Sequence, residues 1–278
     1  MAWARKTFDP TSSETFKLSR SKIDLFMECP RCAYLDMRLG VPRVSGPSFT
    51  LNNAVDELFK REFDTHRVKG TVHPLAKQYG VDAVPLDDPR MEEWRDALRR
   101  GISTHHKKTN LTIRGGIDDV WKNTDGELII VDYKATSKKE GPSTTDDLYD
   151  SYKRQIEIYQ WLFRQNEFKV SNIGYFVYAN GKSDAKAFDG KLEFDVVLIG
   201  YTGTDAWVEP AIIDLHAMLM SENIPKVGKA FNGGPCDFCT YRENAGKMLA
   251  AQHAKVVPAK GTKMKQKNQV SKDQQLFS

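Results

Sequence analysis

The sequence has no run of 18 apolar residues, which excludes a helical membrane span. Its opening, M-A-W-A-R-K-T-F-D-P, lacks the apolar core of a secretory signal, so the expected location is the cytoplasm, with no membrane partner. No Gly-rich Walker loop is present, which argues against an ATPase or helicase, and there is no H-E-x-x-H motif of a zinc hydrolase. Internal repeats are absent. Histidine is scarce, and its one adjacent pair, His105-His106, is expected at the surface. Cysteine is scarcer still: Cys29-Pro-Arg-Cys32 and Cys236-Asp-Phe-Cys239 hold all four copies. In a cytosolic chain such pairs point to a metal rather than to disulfides. Four thiolates suit structural Zn²⁺, which the spacing alone favours, or an iron–sulfur cluster.

A surplus of one charge is also missing from most of the chain. The net charge is +4, but six lysines stand against one aspartate from Lys255 onward, leaving the rest near −1. Residues 251–278 read as a basic, disordered tail in which Lys255, Lys260, Lys263, Lys265, Lys267 and Lys272 offer phosphate contacts. The tail ends D-Q-Q-L-F-S, which loosely resembles bacterial sliding-clamp-binding peptides and suggests a repair or replication partner.

What is present is periodicity. Residues 1–17 read as irregular, and a short apolar helix capped at Ser19 or Ser21 leads into the first cysteine pair. Leu51, Ala54, Val55, Leu58, Phe59 and Phe63 mark a helix over 50–64, with Asp56 flanking its apolar stripe. A helix is expected near 90–100, another over Tyr149–Arg164 with Gln155 and Tyr159 on neighbouring turns, and a last one near 206–221. Strands are expected at Ile173–Ala179 and Leu192–Ile199. The order suggests an α/β core made by residues 18–250 as one domain whose two ends meet.

The stretch R-G-G-I-D-D-V-W-K-N-T-D-G-E-L-I-I-V-D-Y-K, Arg114–Lys134, reads as two strands and a turn. Strand alternation puts Asp132 and Lys134 on one side and Tyr133 on the other. Asp-x-Lys is a common tripeptide, and a solvated hairpin would explain it equally well. The apolar run Leu128–Val131 shifts the balance, because a buried strand ending in charges must pair them. Two carboxylates beside a lysine suit a hard divalent cation and phosphodiester chemistry.

G-G-I-D-D-V, a turn and I-I-V-D-Y-K resemble the PD-(D/E)XK nuclease superfamily, in particular its RecB-like branch, which includes the RecBCD and AddAB nuclease domains and CRISPR-associated exonucleases. L-S-R-S-K-I-D-L-F-M-E-C-P-R-C, R-Q-I-E-I-Y-Q and G-P-C-D-F-C-T-Y-R agree in order, so the resemblance covers roughly 18–245. It implies a restriction-endonuclease-like core, a mixed central sheet flanked by helices, with a four-cysteine metal staple in a helical region joining the two ends. It also implies Mg²⁺ or Mn²⁺ on Asp118, Asp132 and the Tyr133 carbonyl, Lys134 as the catalytic lysine, and Gln155 and Tyr159 lining the site.

Two departures stand out. The branch usually carries a metal-binding histidine in a segment like A-V-H-E, whereas here the segment is A-V-D-E, making Asp56 the candidate third ligand. Iron–sulfur members typically use one early and three late cysteines, and this chain has two and two. By resemblance, Cys29, Cys32, Cys236 and Cys239 would hold a 4Fe–4S cluster, with Zn²⁺ the alternative. The expected function is a metal-dependent nuclease acting on single-stranded DNA or duplex ends in repair, recombination or defence. The rivals are a catalytically silent DNA-binding or scaffold subunit and a zinc-stapled interaction protein.

Overall fold

The apolar run Leu128–Val131 becomes the centre of a five-stranded sheet. The computed structural model describes residues 6–46, 49–230 and 233–256. They fall into two units, one ending at Cys236 and one beginning at Asp237. In chain order the first unit contains β1 (Phe16–Ser19), α1 (Arg20–Glu28), α2 (Pro30–Met37), α3 (Thr50–Lys69), α4 (Pro74–Gln78), β2 (Ala83–Pro85), α5 (Met91–Arg95), β3 (Ile102–His106), β4 (Leu111–Gly115), β5 (Asp119–Asn123), β6 (Leu128–Thr136), α6 (Asp150–Gln165), β7 (Ile173–Gly181), β8 (Phe194–Thr202) and α7 (Val208–Met220). The described part of the second unit is one helix, α8 (Asp237–Val256).

The large sheet has the order β2-β5-β6-β7-β8 and is mixed: β6 and β7 run parallel, joined through α6, while the other pairs are antiparallel. This is the expected α/β class, a mixed sheet flanked by helices. Its faces are set by the alternation along β6. Leu128 and Ile130 enter the core shared with Ile156, Leu162 and Phe163 of α6, whereas Ile129, Val131 and Tyr133 meet Phe59 and Phe63 of α3. A three-stranded sheet, β1-β4-β3, buries Leu18, Ile113 and Ile102 on its inner face.

The expected first strand of the hairpin is divided. Arg114 and Gly115 end β4 in the small sheet, and the chain restarts as β5 in the large one after Gly116-Ile117-Asp118. A β-carbon at Gly115 would come within 2.6 Å of the Tyr159 ring, and one at Gly116 within 2.4 Å of Ala97. The crossing therefore requires glycine at both places.

Other expectations shift. Residues 16 and 17 belong to β1, which pairs in parallel with β4 because Leu18 fills the core. The helix near 90–100 stops at Arg95. Phe59 and Phe63 are buried as expected, but Leu51 and Leu58 are 58% and 61% exposed: seven residues apart, they share a face of α3 that turns away from the sheet. His106 is buried rather than at the surface: Thr109 bonds its Nδ1 at 2.7 Å and Glu209 of α7 faces its Nε2 at 3.0 Å. Residues 251–256, the start of the expected tail and including Lys255, continue α8. The remaining tail lysines and the clamp-like terminus lie outside the described residues. Among the described residues no helix is long and apolar enough to cross a membrane.

Candidate active site

A cavity of about 350 Å³ opens between the start of α3, the end of β6 and the start of α6. Asp56 and Asn52 come from α3, Asp118 from the segment before β5, Tyr133 and Lys134 from β6, Tyr152 and Gln155 from α6, and Arg20 from α1. Asp132 lies beneath this lining, 1% exposed. Its carboxylate forms an ion pair with Lys134 and accepts a 2.6 Å hydrogen bond from Gln155 Nε2. The Lys134 ammonium donates to Gln155 Oε1 at 3.4 Å and sits 4.7 Å over the Tyr152 ring. Gln155 thus fixes both charged groups from one side, and the aromatic face adds a cation–π contact.

Asp118 accepts the Tyr133 backbone N–H at 2.9 Å. Burial, then the Asp132 carboxylate, pushes the Asp118 carboxyl up to about 7, against the pull of Lys134, the Tyr133 N–H and Lys60. Asp56 is raised as well, by burial and then by Asp118, although Lys60 pairs with it at 2.6 Å. Burial opposes the charge on Lys134, but Asp132 and Asp118 outweigh it and hold the ammonium above the ordinary lysine value. The site therefore crowds acidic groups whose mutual repulsion a hard divalent cation would relieve. Their oxygen donors are of the kind Mg²⁺ and Mn²⁺ accept, so the donor chemistry of the cavity suits such an ion.

Tyr159 lies outside the lining. It is buried, and its hydroxyl donates to the Gly116 carbonyl, two residues before Asp118. It touches the site only through the backbone.

Asp119 is the residue sequence reasoning missed. It is wholly buried on the opposite side from Asp118, in an ion pair with Arg67. It also accepts from the Tyr133 hydroxyl at 2.7 Å, the Trp121 indole at 3.2 Å and Arg95 at 3.5 Å. Arg95 further donates to the Asp118 carbonyl at 3.0 Å and grips Asp64 at 2.9 and 3.0 Å. The signal in the sequence was the second aspartate of G-G-I-D-D-V, which alternation sends to the other face.

Three of the four cysteines meet within the first unit. Cys29 caps α2, its sulfur accepting the Cys32 N–H at 3.4 Å, and Cys32 Sγ lies 3.6 Å from Cys236 Sγ. The Gly228 N–H points at Cys29 Sγ at 3.2 Å and Arg43 at Cys236 Sγ at 3.6 Å. A β-carbon at Gly228 would fall 2.1 Å from the Glu28 carbonyl, so only glycine allows that approach. Donors aimed at sulfur are the outer contacts that a metal-ligating cysteine uses. Cys239 follows Cys236 by three residues, in the first turn of α8.

A mixed sheet that brings Asp118 and Lys134 to one cavity, with Asp132 beneath them, defines a class of protein. The chain belongs to the PD-(D/E)XK nuclease superfamily, whose family model matches residues 46–244. No curated protein matches this sequence. The solved structure of SSO0001 is similar over 77% of this chain and 81% of its own, at 15% identity and a TM-score of 0.37.

Proposed function

We propose that this superfamily member is a RecB-like, metal-dependent DNA nuclease that hydrolyses phosphodiester bonds. The observation that carries the reading is the convergence of Asp118, Lys134 and Gln155, backed by Asp132, on the cavity that Asp56 also lines. Asp56, Asp118, Asp132 and the Tyr133 carbonyl would hold Mg²⁺ or Mn²⁺, which when bound supplies Lewis acidity toward a phosphoryl oxygen. Asp56 takes the place of the histidine usual in the branch and pairs with Lys60 at 2.6 Å. Lys134, kept charged by Asp132, stabilises negative charge developing on the phosphoryl group. Gln155 orients that lysine and Asp132, and Tyr159 steadies the Gly116 turn that presents Asp118.

By the resemblance, the two cysteine pairs supply the ligands of a structural metal. The resemblance favours a 4Fe–4S cluster and the paired spacing favours Zn²⁺. Incubation with end-labelled and circular DNA, single- and double-stranded, with Mg²⁺, Mn²⁺ or EDTA tests the activity. Metal-dependent cleavage of any of the four supports it. Intact substrates under every condition overturn it.

A further inference from the structure

The inner face of the β1-β4-β3 sheet packs on the core, and its outer face carries no carboxylate. Alternation along the three strands turns Lys17 and Ser19, Thr112 and Arg114, and Ser103 and His105 outward. The pairing register sets these residues side by side, with Ser19 and Ser103 flanking Arg114, and Thr112 between Lys17 and His105. Neither Lys17 nor Arg114 has an acidic partner among the described residues. The Arg114 guanidinium donates only to the carbonyls of Ala97, Leu98 and Arg99, so its charge is held in place and left uncompensated. At the β1 edge the face opens into a groove of about 230 Å³ lined by Lys17, Ser19, Lys22 and Arg114, whose acid, Asp36, is taken up by Lys22.

This face leads to the candidate active site. Arg20, next to Ser19, lines the cavity that holds Asp118 and Lys134. Arg114 precedes Asp118 by four residues, a span of at most about 14 Å. A single nucleic-acid strand is long enough to touch both places, and hydroxyls interleaved with fixed cations suit phosphate oxygens rather than base edges.

We propose that the outer face of the β1-β4-β3 sheet is a track for the sugar–phosphate backbone of the strand being cut. The proposal rests on the nuclease reading above and adds the path by which the strand reaches the cavity. Contact here is independent of sequence and sensitive to salt.

The test is a salt titration of binding, in EDTA, of fluorescently labelled single-stranded and duplex DNA of mixed sequence. It compares wild type, Lys17→Ala and the pair Lys17→Glu/Ser103→Glu, which reverses one charge and adds a second negative one. Both positions are exposed, so thermal melts should be unchanged. The logarithmic salt slope should shrink by about 0.7 for single strands, or about 0.9 for duplex, with Lys17→Ala, and further with the pair. A wild-type slope in both variants, or no wild-type binding at all, overturns the track. Cleavage by wild type with unchanged slopes sinks the track and leaves the nuclease reading standing. Reduced slopes with no cleavage leave a nucleic-acid-binding face, and overturn both the nuclease reading and the track as the path of a cut strand.

Discussion

The Tyr133 hydroxyl donates to the buried carboxylate of Asp119 across 2.7 Å, and the backbone N–H of the same tyrosine donates to Asp118. One residue of β6 therefore fastens both members of an adjacent aspartate pair that face opposite ways. Asp118 is held at the cavity, while Asp119 anchors the strand to Arg67 and Arg95 behind it. The position of Asp118 depends on charges that never reach the site.

Removing that anchor should be costly. Asp119→Ala leaves Arg67 and Arg95 buried with Asp64 as their remaining shared acid and strands the Tyr133 hydroxyl and the Trp121 indole, and should lower stability by about 3 kcal/mol. Tyr133→Phe removes one donor and keeps the N–H bond to Asp118, and should cost about 1–3 kcal/mol. Urea denaturation midpoints check both. A larger loss for Tyr133→Phe than for Asp119→Ala would contradict the network.

The same network predicts a pH dependence. Burial favours the neutral Asp64 carboxyl, but Arg95 and Arg67 outweigh it and hold Asp64 below its ordinary value of 3.8. A folded value below the unfolded one means that the stabilisation is full above the unfolded value. It is lost as pH falls through the folded value. Asp64→Asn should therefore destabilise the protein at neutral pH and flatten the acid limb of its stability curve. Melting temperatures between pH 2 and pH 7 measure this, and an acid limb as steep as wild type would count against the pairing.

The local parts of this arrangement were legible in the sequence. The apolar run Leu128–Val131 gave the buried strand, strand alternation gave the shared side of Asp132 and Lys134, and the helical period gave α6 with Gln155. Asp119 was not legible, because its partners Arg67 and Arg95 lie 52 and 24 residues away on helices whose charges read as solvated faces. The stripe on α3 was real in pattern, but no local signal says that the sheet takes the side bearing Phe59 and Phe63 and leaves Leu51 and Leu58 in water. His106 read as a surface residue for the same reason: Glu209 approaches it from the other end of the chain.

Divalent cations should bind without turnover. Mg²⁺ or Mn²⁺ at a hundred times its dissociation constant should stabilise the fold by about 2.7 kcal/mol. Thermal melts of wild type, Asp118→Asn and Asp56→Ala report this directly. The shift should vanish in Asp118→Asn and shrink in Asp56→Ala. An undiminished shift in Asp118→Asn would place the ion elsewhere.

The cysteine site has its own readout. Protein purified without oxygen should carry a metal that Cys32→Ser loses, with a fall in melting temperature. Brown protein containing iron and sulfide identifies the cluster, and colourless protein with one zinc identifies the alternative. Metal-free wild type of full stability would contradict both.

The most direct test of the nuclease reading is cleavage of end-labelled DNA with Mn²⁺ by wild type, Lys134→Ala and Asp132→Ala, with circular dichroism of each. The account predicts metal-dependent cleavage by wild type and none by either variant, both variants giving folded spectra. Cleavage retained by both folded variants would contradict it.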